Sequence, residues 1–76
     1  MTVEVFTSAS CSACRQAKDF LARKGVPFTE RNISEDNSAR DELIALGFSA
    51  VPVIRVDGET MLGFSAPRLS RMLGLA

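Results

Sequence analysis

An early strand–helix–strand succession constrains this chain more than any other feature of its sequence. Val3-Glu-Val-Phe6 places Val3, Val5 and Phe6 in a short apolar run that predicts a strand. A small polar stretch, Ser8-Ala-Ser10, follows and fits a loop. From Ser12 the spacing turns helical. Ala13, Ala17, Phe20 and Leu21 share one face, and Arg15, Lys18, Asp19 and Arg23 the other. Gly25 predicts the end of this helix, and Pro27 blocks its resumption. The next run, Pro27-Phe-Thr-Glu-Arg-Asn-Ile33, predicts a second strand. Two strands joined through a helix must lie parallel, by a right-handed crossover.

The remainder predicts a second helix, a hairpin and a third helix. Ser34 is expected as an N-cap, with Glu35 and Asp36 in the first turn and Ala39, Leu43, Ile44 and Leu46 as the buried stripe ended by Gly47. Val51 to Val56 is apolar and β-branched and predicts a strand. Asp57-Gly58 then separates two apolar runs, which predicts a tight type I′ hairpin with positive φ at both central residues. Glu59 to Leu62 returns antiparallel. Ser65 is expected to cap the last helix, with Pro67 in its first turn, Leu69, Met72 and Leu73 facing inward, and Gly74 closing it. The order is βαβαββα, an α/β arrangement with a four-stranded mixed sheet flanked by three helices. At 76 residues this is one domain, 1–76, expected as a monomer.

Composition removes several classes of function. Nine basic and nine acidic residues cancel, which argues against a nucleic-acid or anionic-membrane partner. No apolar run approaches the roughly 20 residues that cross a bilayer. The first residues, Met1 to Ser10, have neither a basic segment nor an apolar core, so they read as mature sequence rather than a signal peptide, and a cytoplasmic location is expected. Histidine is absent, so no imidazole within the chain serves as a general base, and hydrolysis through a Ser-His or Cys-His pair is excluded.

The two cysteines, Cys11 and Cys14, carry the chemistry. Cys11 is expected at the junction between the loop and the first helix, where first-turn N–H groups lack intrahelical partners and carry roughly half a positive charge. A thiolate there is stabilised, and cysteine pKa values at such positions fall from about 8.5 to about 3.5–7.5. Cys14 lies one turn on, within reach of Cys11 and more buried. The pair is therefore asymmetric: Cys11 as the attacking sulfur, Cys14 as the one that resolves a mixed disulfide. A structural clip is the poorer reading, because so small a loop removes little unfolded-state entropy. Half of a zinc site and a cluster bridged between two chains are the other readings, each needing ligands that this chain does not supply alone. Pro52 is a second signal: a proline at the start of a strand sacrifices a ladder hydrogen bond. It reads either as the opening of an edge strand or as the site of a cis bond.

The chain resembles the glutaredoxins, members of the thioredoxin-fold family, over nearly its whole length. The likeness rests on the βαβαββα order, Cys-Ser-Ala-Cys-Arg-Gln-Ala-Lys-Asp-Phe-Leu on the first helix, Ala-Val-Pro-Val-Ile at the third strand, the Asp57-Gly58 hairpin and Leu-Gly-Phe-Ser-Ala-Pro-Arg-Leu at the last helix. The resemblance implies a thiol–disulfide oxidoreductase acting through Cys11 and Cys14 without a bound cofactor or metal. It implies that Pro52 is cis and lies against Cys11, and that the Val51 backbone pairs with an extended thiol peptide. Gly63-Phe64, a small residue and a proline are similar to the NrdH-type redoxins, which draw electrons from the NADPH-dependent flavoenzyme thioredoxin reductase and reduce ribonucleotide reductase. The lysine before the first cysteine and the acidic pair common in glutathione-using members are absent, and so is the tryptophan-serine usual in NrdH-type chains. Glutathione stays open as the reductant, its carboxylates met by Arg40 and by the N–H groups of Phe64, Ser65 and Ala66. An exposed Phe64 would then contact a protein partner.

Overall fold

The computed structural model describes residues 1–75, so Ala76 of the expected 1–76 domain lies outside the described residues. The elements run β1 (Val3–Thr7), α1 (Ser12–Arg23), β2 (Thr29–Asn32), α2 (Asn37–Ala45), β3 (Val53–Val56), β4 (Glu59–Leu62) and α3 (Ala66–Leu73). They form one sheet in the order β2-β1-β3-β4. β1 pairs parallel with β2, as a βαβ unit requires, and antiparallel with β3, while β3 and β4 make the hairpin.

Alternation along the strands sorts the core into two layers. Val3 and Val5 of β1 face the same side as Ile54 and Met61, where α1 brings Phe20 and Leu21 and α3 brings Leu69 and Leu73. Phe6 and Val53 face the opposite side and meet Leu43 of α2, rimmed by Ile33, Leu46, Phe48 and Val51. One sheet face thus carries two helices and the larger core; the other carries a single short helix. Ion pairs supplement the smaller layer: Arg31 of β2 holds both Glu4 and Glu42, tying the sheet to α2, and Arg55 also reaches Glu4.

Several expected boundaries shift. The second helix is capped by Asp36 rather than Ser34, because the Asp36 carboxylate accepts from the N–H groups of Ser38 and Ala39. Ser34 is used elsewhere, its Oγ accepting the Ala9 N–H at 3.1 Å. Glu35 and Asp36 therefore precede the helix. Ile44 does not join the buried stripe: it is 58% exposed, because Ala39 and Leu43 are the residues that α2 turns to the sheet. Within α1 the buried stripe is Cys14, Ala17, Phe20 and Leu21, with Ala13 only half-buried. The second strand contracts to Thr29–Asn32, leaving Phe28 and Ile33 as flanking contacts, and the third begins at Val53 rather than Val51. The hairpin has its two-residue turn, but only Asp57 takes a positive φ, of 54°, and Gly58 does not.

Candidate active site

Register brings the sequence-predicted residues to one end of the sheet. Phe6 pairs with Val53, and Val53 pairs with Leu62, so the next positions, Thr7, Pro52 and Gly63, fall in a row at the same end. The Gly63 N–H donates to the Pro52 carbonyl at 2.8 Å and fixes the two segments together. Val51-Pro52 is a cis peptide, and Pro52 is buried. The loop that leaves this end after Thr7 leads to Cys11 and the start of α1.

Ser10 sets the direction of that loop. It adopts a left-handed φ of 59°, a conformation costing a non-glycine residue about 1–2 kcal/mol. The chain then enters α1 with Cys11 as its N-cap, extended at φ −113° and ψ 106°. The Sγ of Cys11 accepts the Cys14 N–H at 3.2 Å, taking the place that a serine or aspartate oxygen usually fills. The sulfur is thus directed onto the unpartnered donors of the helix start. Cys11 and Cys14 are disulfide-bonded, with Cα atoms 5.3 Å apart. Cys11 is half-exposed, whereas Cys14 is only 1% exposed, on the buried stripe of α1. The two sulfurs are chemically alike and differ in environment, and only the outer one is open to an incoming molecule.

A polar trio, of which only Lys18 stands out in the sequence, links β1, α1 and β2. Thr7 is the one buried polar side chain among the described residues, and its hydroxyl donates to Glu30 at 2.8 Å. Lys18, one turn along α1 from Cys14, donates to the same carboxylate oxygen at 3.0 Å. These two bonds, the Lys18 one first, hold the Glu30 carboxyl below its ordinary value. No local motif marks this trio, since its members come from three elements.

Phe64 sits half-buried after β4, its ring edge-to-face with Phe20 at 5.7 Å, and so lies along α1. Ser65 caps α3, its Oγ accepting the Arg68 N–H at 3.5 Å. Arg40 is exposed on α2, in the layer opposite α1 and α3, and forms no ion pair among the described residues.

A strand–loop–helix with a paired cysteine at the helix start is a widespread arrangement, and comparison with known proteins decides which family has built it here. The glutaredoxin family profile matches residues 3–61. The chain belongs to the glutaredoxin family. As a member carrying the Cys11–Cys14 pair, it is a thiol–disulfide oxidoreductase. It is 31% identical over 70 residues to the glutaredoxin-like protein NrdH of Lactococcus lactis subsp. cremoris, covering 92% of this chain and 97% of that one. A solved thioredoxin-like protein, 28% identical, superposes with a TM-score of 0.93 over 99% of this chain and 97% of its own. The NrdH-redoxin of Escherichia coli, described as glutaredoxin-like with a thioredoxin-like activity profile, superposes with a TM-score of 0.84 at 25% identity, over 93% of each chain. These neighbours bear out the thioredoxin-like fold expected from the glutaredoxin resemblance.

Proposed function

We propose that this glutaredoxin-family chain is a monomeric cytoplasmic dithiol carrier that reduces client disulfides and takes its electrons from a flavin-containing, NADPH-dependent reductase of the thioredoxin reductase class rather than from glutathione. The observation that carries the reading is the position of the Cys11 sulfur, half-exposed at the N-cap of α1 with Cys14 enclosed one turn behind. In the reduced state the Cys11 thiolate attacks one sulfur of a client disulfide; that bond breaks and one client thiol leaves. Cys14 then loses its proton and attacks the Cys11 sulfur of the mixed disulfide, releasing the second client thiol. Two electrons pass to the client, and Cys11–Cys14 is left oxidised. Val51 and Pro52, at the same sheet end, offer the extended backbone along which a client segment lies, and Gly63, Phe64 and Ser65 form the opposite wall.

The choice of donor is supported by the missing lysine and acidic pair, by the Gly-Phe-Ser-Ala-Pro stretch, by the NrdH relative and by the thioredoxin-like profile of the Escherichia coli protein. Ribonucleotide reductase is the client that an NrdH-type role entails. Arg40, in the far layer, is left without a part in the cycle.

Two comparisons test the reading. Cys14→Ser should trap a covalent client adduct at Cys11, and Cys11→Ser should abolish attack; equal loss with no adduct in either variant contradicts the assignment. In parallel NADPH-consumption assays, thioredoxin reductase should sustain turnover, and reduction by glutathione with its own reductase alone would reverse the donor.

A further inference from the structure

The net charge of zero conceals a segregation that the fold creates. The α1–α3 layer carries Arg15, Lys18, Arg23, Lys24, Arg68 and Arg71 against a single acid, Asp19. The sheet and the α2 layer carry the other eight acids and only three basic residues, Arg31, Arg40 and Arg55. The basic residues outside the α1–α3 layer are mostly neutralised, Arg31 by Glu4 and Glu42, and Arg55 by Glu4. Within that layer, among the described residues, only Lys18 has an acidic partner, Glu30 of β2. Arg15, Arg23, Lys24, Arg68 and Arg71 are exposed and form no ion pair among the described residues.

Two of the unpaired charges lie near the helix starts. Arg15 follows Cys14 directly, and Arg68 lies in the first turn of α3, just after Phe64 and Ser65. An open groove of about 490 Å³ runs along α1, lined by Gln16, Asp19, Ala22, Arg23 and Phe64. Unpaired basic charge on both helices, with a partly apolar groove along the helix that begins at Cys11, fits a protein surface. The electrostatic term acts over the longer distance and the apolar contact follows on arrival.

We propose that the α1–α3 face docks the disulfide-bearing client through an acidic surface surrounding the client's disulfide. This rests on the oxidoreductase reading above and adds the chemistry by which the client is chosen. A nucleic acid is the less favoured occupant: Asp19 stands within the face, the groove is partly apolar, and the face borders a sulfur whose reaction requires a disulfide.

The test uses the full chain, reduced beforehand with dithiothreitol and freed of it, in single-turnover reactions. Each reaction converts the protein dithiol and a disulfide to the protein disulfide and two thiols. The probes are a disulfide-bridged peptide flanked by glutamates, the same peptide flanked by lysines, and neutral hydroxyethyl disulfide. At low salt, where screening extends over about 30 Å, the glutamate peptide should react about tenfold faster than the lysine peptide. At about 1 M salt, where screening acts within about 3 Å, the difference should vanish. The doubly substituted Arg68→Glu, Arg71→Glu chain, its layer left with four basic residues against three acidic ones, should lose most of the preference for the glutamate peptide while reacting normally with hydroxyethyl disulfide.

Equal rates for the two peptides at low salt, or a preference unaffected by the α3 substitutions, overturn the docking proposal while leaving the oxidoreductase intact. Displacement of the glutamate peptide by equimolar DNA overturns it in favour of a nucleic-acid surface. Failure with all three disulfides overturns the underlying reading itself.

Discussion

At the scale of single residues, the site is a set of hydrogen bonds made by side chains with few alternatives. The Cys11 sulfur caps a helix, and the Glu30 carboxylate collects Thr7 and Lys18. Because those bonds lower the folded-state pKa of Glu30 from its ordinary 4.5, their stabilisation is present above the unfolded value. It is lost as pH falls through the folded value. Lys18 and Glu30 remain 32% and 38% exposed, so solvent screening keeps the contribution below about 1 kcal/mol. Urea unfolding of Glu30→Gln should therefore show a small stability deficit at neutral pH that closes in acid; a deficit that is constant or grows in acid contradicts it. The cysteines and Pro52 were legible in the sequence because local spacing and a family likeness mark them. Ser10 and the Thr7–Glu30–Lys18 trio were not, because a left-handed serine has no compositional mark and the trio exists only once β1, α1 and β2 have assembled.

At the scale of elements, helix ends do much of the positioning. α1 and α2 close alike, with Gly25 and Gly47 in left-handed conformations and the following Val26 and Phe48 N–H groups returning to Leu21 and Leu43 carbonyls at 3.0 and 3.1 Å. A Cβ at Gly47 would meet no atom within 4 Å, so the penalty of a side chain there comes from its φ of 92° alone. Gly47→Ala should cost about 1–2 kcal/mol in chemical denaturation and leave the thiol chemistry unchanged. A neutral outcome would mean that the α2 end is set by something other than this turn. The helices and the hairpin were legible from periodicity and from Gly, Pro and Asp-Gly punctuation. The start of α2 was not: Ser34 was expected as its cap, and the role fell to Asp36 because Ser34 was taken up by the Ala9 N–H.

At the scale of the whole molecule, the placing of β1 between β2 and β3 organises the protein. It puts the end of β1, the cis Val51-Pro52 peptide and the Gly63-Phe64 turn at one sheet end, and it sends α1 and α3 to one face and α2 to the other. The sequence predicted the parallel first pair and the hairpin, but only the family likeness led to the expectation of a cis Pro52 against Cys11, since strand order is decided by contacts between distant segments. The separation of charge between the layers is of the same kind, invisible in a balanced total. What the fold accomplishes is to make two identical thiols different. The direct measurement is site-resolved alkylation of the reduced chain across pH, quantified by mass spectrometry. Cys11 should be labelled at least about tenfold faster than Cys14 at neutral pH, with its rate rising at a pH below the roughly 8.5 of a free thiol. Equal labelling of both cysteines, rising together near that free-thiol value, would contradict the account.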